Sequence, residues 1–229
     1  MKVYLRRTKM AGALAALGLM SLVGSAHAAL LEIDFTKAGA FSGTSPTLPS
    51  DPNEVFARAI FDDHNGTGSV TLTMTVLNNL SAGAYVNDWY FNVGSAPLEG
   101  ISFTSGVAAQ TIENGSDDFK ADGTGGNFDF AFHFDTSNPG QLGQGFSSVY
   151  TLTDPGITAN SFNSISISSP LNAGNGGYIS AIHVQGYGNS VWIAGDEGGR
   201  PPEQVPEPAT LALIGLGLFG IAAARRRWN

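Results

Sequence analysis

The chain has 229 residues, no cysteine and a formal net charge of −8. The missing cysteines exclude disulfides, a thiol nucleophile and a thiolate metal site. The acid excess argues against nucleic acid or anionic lipid as a partner, since either needs a basic face.

At the N-terminus, Lys2, Arg6, Arg7 and Lys9 precede an apolar run from Met10 to Val23, and Ala26-His27-Ala28 follows as an A-x-A cleavage site. This is the pattern of a secretory signal peptide over residues 1–28, removed by signal peptidase so that the mature chain begins at Ala29. An uncleaved membrane anchor would need a longer apolar stretch. Arg6-Arg7 raises twin-arginine export, but Thr8-Lys9-Met10 lacks the apolar residues that follow such a pair, so general secretion is expected.

The body, residues 29–204, keeps only Lys37, Arg58, Lys120 and Arg200 of the eleven basic residues, against eighteen of the nineteen acids, for a net −14. It is rich in Gly, Ser, Thr and Asn and poor in Leu, Lys, Arg and Glu, a composition that depresses helix propensity and favours strands joined by turns. Leu31 to Phe35 reads as the first strand. Val55 to Phe61 reads as a second, because Asp63-His64-Asn65-Gly66-Thr67-Gly68 then forms a hairpin loop into Ser69 to Leu77. In Val70-Thr71-Leu72-Thr73-Met74-Thr75-Val76 apolar residues alternate with threonine, as in a strand with one buried and one wet face. Trp89 to Val93 follows. Asp122-Gly123-Thr124-Gly125-Gly126-Asn127 separates a segment around Phe119 from Phe128 to Asp135, where four phenylalanines alternate with other residues. Val149 to Thr153, Ser164 to Ser168, Ile179 to Gln185 and Val191 to Ala194 complete the series.

Many short strands with glycine and asparagine turns and no intervening helix predict an all-β fold over residues 29–194, an antiparallel β-sandwich of jelly-roll type. Residues 195–204 turn to Gly, Pro and acid and read as a linker.

Candidate chemistry in the body is sparse. His64, His133 and His183 fall one to a segment, without the short spacing of a readable metal site. On the phenylalanine-rich strand, Asp129, His133 and Asp135 share the opposite face, the pattern of a solvated outer surface. Asp62, Asp63 and Asn65 share one loop. Asp117, Asp118, Asp122, Asn127 and Asp129 surround another and form the candidate Ca²⁺ site, since hard oxygen ligands on turns suit that ion. The competing account is that Asp, Asn and Gly simply make turns. Tyr85, Trp89, Tyr90, Tyr150, Tyr178, Tyr187 and Trp192 offer either a sugar-stacking platform or core packing. No Gly-x-Ser-x-Gly, His-Glu-x-x-His or phosphate-binding glycine loop is present, and no pair of carboxylates is marked out, so the body is not expected to be an enzyme.

The last 25 residues carry the most specific pattern, Val205-Pro206-Glu207-Pro208, an apolar run from Ala209 to Ala224, and Arg225-Arg226-Arg227. Proline has no backbone N–H and restrains the residue before it, so a helix starts only after Pro208. The apolar run reaches about 24 Å at ~1.5 Å per residue. That is short of a ~30 Å hydrocarbon core, so Arg225 and Trp228 would have to snorkel. The arginine cluster acts as a positive stop on the cytoplasmic side, leaving the body outside.

These three parts, in this order, resemble the PEP-CTERM sorting signal of Gram-negative bacteria that make extracellular polysaccharide. The resemblance covers residues 205–229 only. It implies that Pro206-Glu207-Pro208 is recognised by an exosortase, a membrane-embedded cysteine transpeptidase, which removes the helix and releases the body from its inner-membrane intermediate to the cell surface or beyond. The expected role is a structural or adhesive component of an exopolysaccharide or biofilm matrix. The alternatives are a carbohydrate-binding module, with or without calcium, and a cryptic hydrolase.

Overall fold

The computed structural model describes residues 29–44, 48–121, 126–168 and 177–195. The predicted signal peptide (1–28), residues 196–204 of the linker and the sorting tail (205–229) lie outside the described residues. Within those described, no helix is long and apolar enough to cross a membrane.

The described chain is built of β1 (Leu30–Thr36), β2 (Ala40–Gly43), β3 (Val55–Asp62), β4 (Ser69–Val76), β5 (Tyr85–Phe91), β6 (Gly100–Gly106), β7 (Thr111–Lys120), β8 (Gly126–His133), β9 (Leu142–Gly143), β10 (Ser147–Thr153), β11 (Ile167–Ser168), β12 (Ser180–Gly186) and β13 (Asn189–Ala194). Two 3-10 turns, Lys37–Gly39 and Ala159–Phe162, are the helical elements among the described residues. The strands form two antiparallel sheets. The first has the order β1-β3-β4-β10-β6; the second runs β11-β8-β5-β12-β13-β2, with β7 also paired to β8 and β9 to β5.

Alternation explains how the sheets meet. In β4, Val70, Leu72, Met74 and Val76 are buried and Thr71, Thr73 and Thr75 are half-exposed on the outer face. The hairpin to β3 closes through Asx turns, with His64 N donating to Asp62 Oδ1 and Asn65 N to Asp63 Oδ1. Both loop residues take positive φ, 49° and 67°, a conformation that Asn tolerates better than most residues. The inner faces interlock through aromatic rings. Phe35 of β1 meets Trp89 of β5 edge-on at 5.3 Å, Phe61 of β3 meets Phe91 of β5 at 5.3 Å, and Tyr150 of β10 meets Phe132 of β8 at 4.5 Å. Each such ring is fully buried, worth roughly 1.5–3 kcal/mol relative to exposure, and the core holds without a disulfide.

Several expectations shift. β2, β6, β7 and β9 complete the sheets beyond the predicted strands, because β6 and β7 are exposed edge strands whose Ser, Thr and Asp residues carry no buried apolar alternation. The stretch Ser164 to Ser168 contributes only the two-residue β11. Phe130, Phe132 and Phe134 join the main core, but Phe128 does not; it packs instead with Tyr90 and Trp192 in a second cluster. The change falls beside an irregularity in the partner strand. Between Asn114 and Phe119, β7 bulges against β8, so that Asp129 is skipped between the Phe130–Asn114 and Phe128–Phe119 pairs. The face opposite the phenylalanines is also less wet than expected, since Asp129 and Ala131 there are buried.

Candidate functional site

The second cluster lies on the outer face of the second sheet. With Trp89 and Phe91 of β5 turned into the core, period-two alternation sends Asp88 and Tyr90 outward. The same rule sends His133 outward beside Phe132, His183 beside Ile182, and Trp192 beside Ile193. The strand register then aligns these residues across the sheet, with His133 opposite Asp88, Asp88 opposite His183, and His183 opposite Trp192. A bulge at Asn87, where His183 and Val184 pair with Asp88 and Val86, places the Asn87 amide beside the same carboxylate.

Hydrogen bonds link the row. His133 Nδ1 donates to Asp88 Oδ1 at 2.7 Å, and His183 Nδ1 donates to Asp88 Oδ2 at 3.0 Å. Asn87 Nδ2 donates to Asp88 Oδ2 at 2.5 Å. On the other side of its ring, His133 Nε2 donates to Glu113 Oε2 at 3.0 Å. A neutral imidazole has one N–H and a carboxylate is acceptor-only, so making both bonds requires His133 as the imidazolium. Its pKa is accordingly raised, first by the hydrogen bond to Asp88, against burial, and then by Glu113. For Asp88, burial favours the neutral acid, but the bonds and charges of His133 and His183 outweigh it and hold the carboxyl below its ordinary value. Tyr90, edge-on to His133 at 5.8 Å, has its phenol pushed upward by burial and by the charges of Asp88 and Glu113. The His183 ring lies flat on Trp192, 4.4 Å away with planes 6° apart.

The arrangement is a linear chain, Glu113–His133–Asp88–His183, backed by Trp192 and Tyr90. With three donors on Asp88, its oxygens are committed as acceptors, and the chain acts as an electrostatic clasp across four strands. Among the described residues, no group of three His, Asp or Glu side chains converges as a metal site would require.

Of the candidate calcium residues, Asp129 and Asp118 have carboxylates that accept backbone amides. Asp129 is buried and accepts Val93 N on Oδ2 at 2.8 Å and Asp117 N on Oδ1 at 2.9 Å. Asp118 Oδ2 accepts Ser116 N. Asp117, at φ 55°, has its carboxyl pushed up by burial and by the charges of Asp129 and Asp118. Asn127 pairs with Lys120 on β7 and Ile167 on β11, and Asp122 lies outside the described residues. Asp63, in the other acidic loop, accepts the amides of Ala29, Asn65 and Ala159. Asp62 Oδ2 faces His64 Nδ1 at 3.2 Å in an exposed pair.

Of the aromatic candidates, Trp89 and Tyr150 are core residues, and Tyr90 and Trp192 are buried in the outer cluster. Tyr178, half-buried, stacks on Phe41 at 5.0 Å with planes 11° apart. Tyr85 OH donates to Gln185 Oε1, and Tyr187 is exposed. Sequence reasoning missed Asp88 and Glu113. Neither lies in a strand read from the sequence, and the register joining Asp88 to partners 45 and 95 residues away was not legible there.

The described body and the tail together define a class, an all-β domain that carries a C-terminal sorting signal. The tail is the PEP-CTERM protein-sorting motif, whose family model matches residues 204–227 and so includes the motif residues Val205, Pro206, Glu207 and Pro208 and the cluster Arg225, Arg226 and Arg227. That motif implies export to the cell envelope or surface and processing by an exosortase. No curated protein and no solved structure is similar enough to match the chain.

Proposed function

We propose that this chain is a structural component of the cell surface or the extracellular polysaccharide matrix, delivered by exosortase processing and without catalytic activity of its own. The observation that carries the reading is the sorting motif at residues 204–227. In this reading the signal peptide ends at Ala26-His27-Ala28, the span from Ala209 to Ala224 is a temporary inner-membrane helix, and residues 195–204 hold the body clear of the bilayer. The winding of the strands supports a jelly-roll body, with β8 lying between β5 and β7 and β10 between β4 and β6. A structural role is favoured over a catalytic one because the best-formed polar cluster ties strands together, its central carboxylate already taking three donors.

A second reading, a carbohydrate-binding module, is favoured by one observation, the half-buried parallel stack of Phe41 and Tyr178 beside the buried Trp192. Aromatic faces at the edge of such a cluster suit the apolar face of a sugar ring.

The test is fractionation of the producing cells. The mature body is expected in the polysaccharide matrix, and a deletion strain is expected to form a weaker matrix. Recovery of the mature body wholly free in the medium, with an unchanged matrix in the deletion strain, would rule the structural role out. A glycan array run with and without EDTA separates the second reading, since Tyr178→Ala should abolish any binding that the Phe41–Tyr178 stack provides.

A further inference from the structure

Three Asn-x-Ser/Thr triplets stand in the described residues, Asn65-Gly66-Thr67, Asn79-Leu80-Ser81 and Asn114-Gly115-Ser116. Such a triplet is the acceptor pattern for a glycan on the asparagine amide, and it is usable only where the amide reaches solvent. The structure separates the three by what each amide already does.

Asn79 Nδ2 donates to Glu54 Oε1 at 2.9 Å and to Val55 O at 2.7 Å, its Oδ1 is buried, and Leu80 of the same triplet is a core residue. Asn114 has both ends of its amide clamped on one residue, with Oδ1 accepting Leu98 N at 3.1 Å and Nδ2 donating to Leu98 O at 2.8 Å. A sugar would replace one N–H of the amide, so Asn79 would lose one of its two donated bonds and the Leu98 clamp on Asn114 would have to open to admit it. Asn65 differs. It sits at the tip of the β3–β4 hairpin with His64, Gly66 and Thr67, all four exposed. Its backbone is held from below, because Asn65 N and Gly66 N bond to Asp63 Oδ1 and Asp63 O, and the buried Asp63 is anchored in turn by Ala29 N and Ala159 N. Among the described residues the Asn65 side chain makes no hydrogen bond, so the loop presents a free amide on a rigid stalk.

We infer that Asn65 is a site of N-linked glycosylation, and that Asn79 and Asn114 are not. The donor is an activated glycosyl diphosphate. Asn65 Nδ2 attacks the anomeric carbon, a C–N bond forms as the C–O bond to the diphosphate breaks, the diphosphate leaves with the electron pair, and one amide proton passes to a base of the transferase. Nothing is oxidised or reduced. A sugar there extends from the exposed tip of a hairpin in the first sheet, whereas the outer-face cluster belongs to the second. The inference stands apart from the matrix role.

The experiment is intact-mass measurement and peptide mapping of the protein purified from its own producing cells. The Asn65 peptide is expected to carry added sugar, lost in Asn65→Gln and in Thr67→Ala and retained in Thr67→Ser. Peptides with Asn79 and Asn114 are expected at their bare masses. A single hexose indicates a nucleotide-linked donor, and an oligosaccharide a lipid-linked one. A bare Asn65 peptide, or sugar on Asn79 or Asn114 in its place, overturns the inference. Asn65→Gln removes no hydrogen bond described above but sets Gln at φ 67°, so Thr67→Ala, which leaves Asn65 in place, separates loss of the acceptor pattern from strain in the hairpin.

Discussion

Asp88 and His133 stand opposite each other on β5 and β8, with Asp88 Oδ1 2.7 Å from His133 Nδ1, and this pair orders the outer face of the second sheet. Its contribution depends on pH at both ends. Asp88 is held below its ordinary 3.8, so its share is present above that value and is lost as pH falls through the lower folded pKa. His133 is raised above 6.5, so its share is complete below 6.5 and is lost as pH rises through the higher folded pKa. The wild-type advantage over His133→Gln is therefore expected to be greatest from about pH 4 to 6.5 and to shrink in alkali. Urea midpoints of both proteins in that range and in alkali check it; an equal gap at pH 5.5 and pH 9 would contradict the ion-pair account.

Removing the carboxylate should cost more than removing one imidazole. Asp88→Ala leaves the N–H groups of two histidines and of Asn87 without their acceptor in a partly buried site, and unpaired buried donors cost about 1–3 kcal/mol each when water cannot reach them. A loss of roughly 2–4 kcal/mol is expected from denaturant unfolding, against a smaller one for Glu113→Ala, whose side chain is 43% exposed.

Trp89 packs between Phe35 and Phe91 with its Nε1 buried and, among the described residues, without a hydrogen-bond partner. Trp89→Ala should therefore destabilise by about 3–5 kcal/mol through the cavity it opens. Trp89→Phe should cost markedly less, because it keeps a ring in place and removes the orphaned donor. Similar midpoints for the two variants would show that the site collapses around any residue.

At the base of the β3–β4 hairpin, Asp63 accepts three backbone amides while its neighbour Asp62 is partly exposed. Asp63→Ala is expected to cost at least about 2 kcal/mol, and Asp62→Ala less than ~1 kcal/mol. Thermal or urea unfolding of the two single variants checks the order; a reversal would mean that the loop is held by its backbone turn alone.

In the tail, Glu207→Ala within Pro206-Glu207-Pro208 is expected to leave the chain membrane-retained at nearly full length after signal-peptide removal. Mass measurement of membrane and extracellular fractions decides it. A mature body of unchanged size outside the cells would reduce the motif to a hinge.

The sequence alone determined the all-β composition of the body, its strongest strands, the β3–β4 hairpin and the sorting tail, because each depends on neighbours within a few residues. Alternation in Val70 to Val76 needs no partner to be read, and neither does a proline-bounded apolar run before three arginines. It also assigned His133 and Asp129 to one face of β8. Only the tertiary structure decided what that face is for. Strand register brings Asp88, His133 and His183 together across separations of 45 and 95 residues, and Phe128 joins the outer cluster beside the bulge in β7. The same pairing committed Trp89 to the interior and left the Asn65 amide in solvent while clamping those of Asn79 and Asn114. Local chemistry sets which way a side chain leaves its strand; only long-range hydrogen-bond register sets what it meets there.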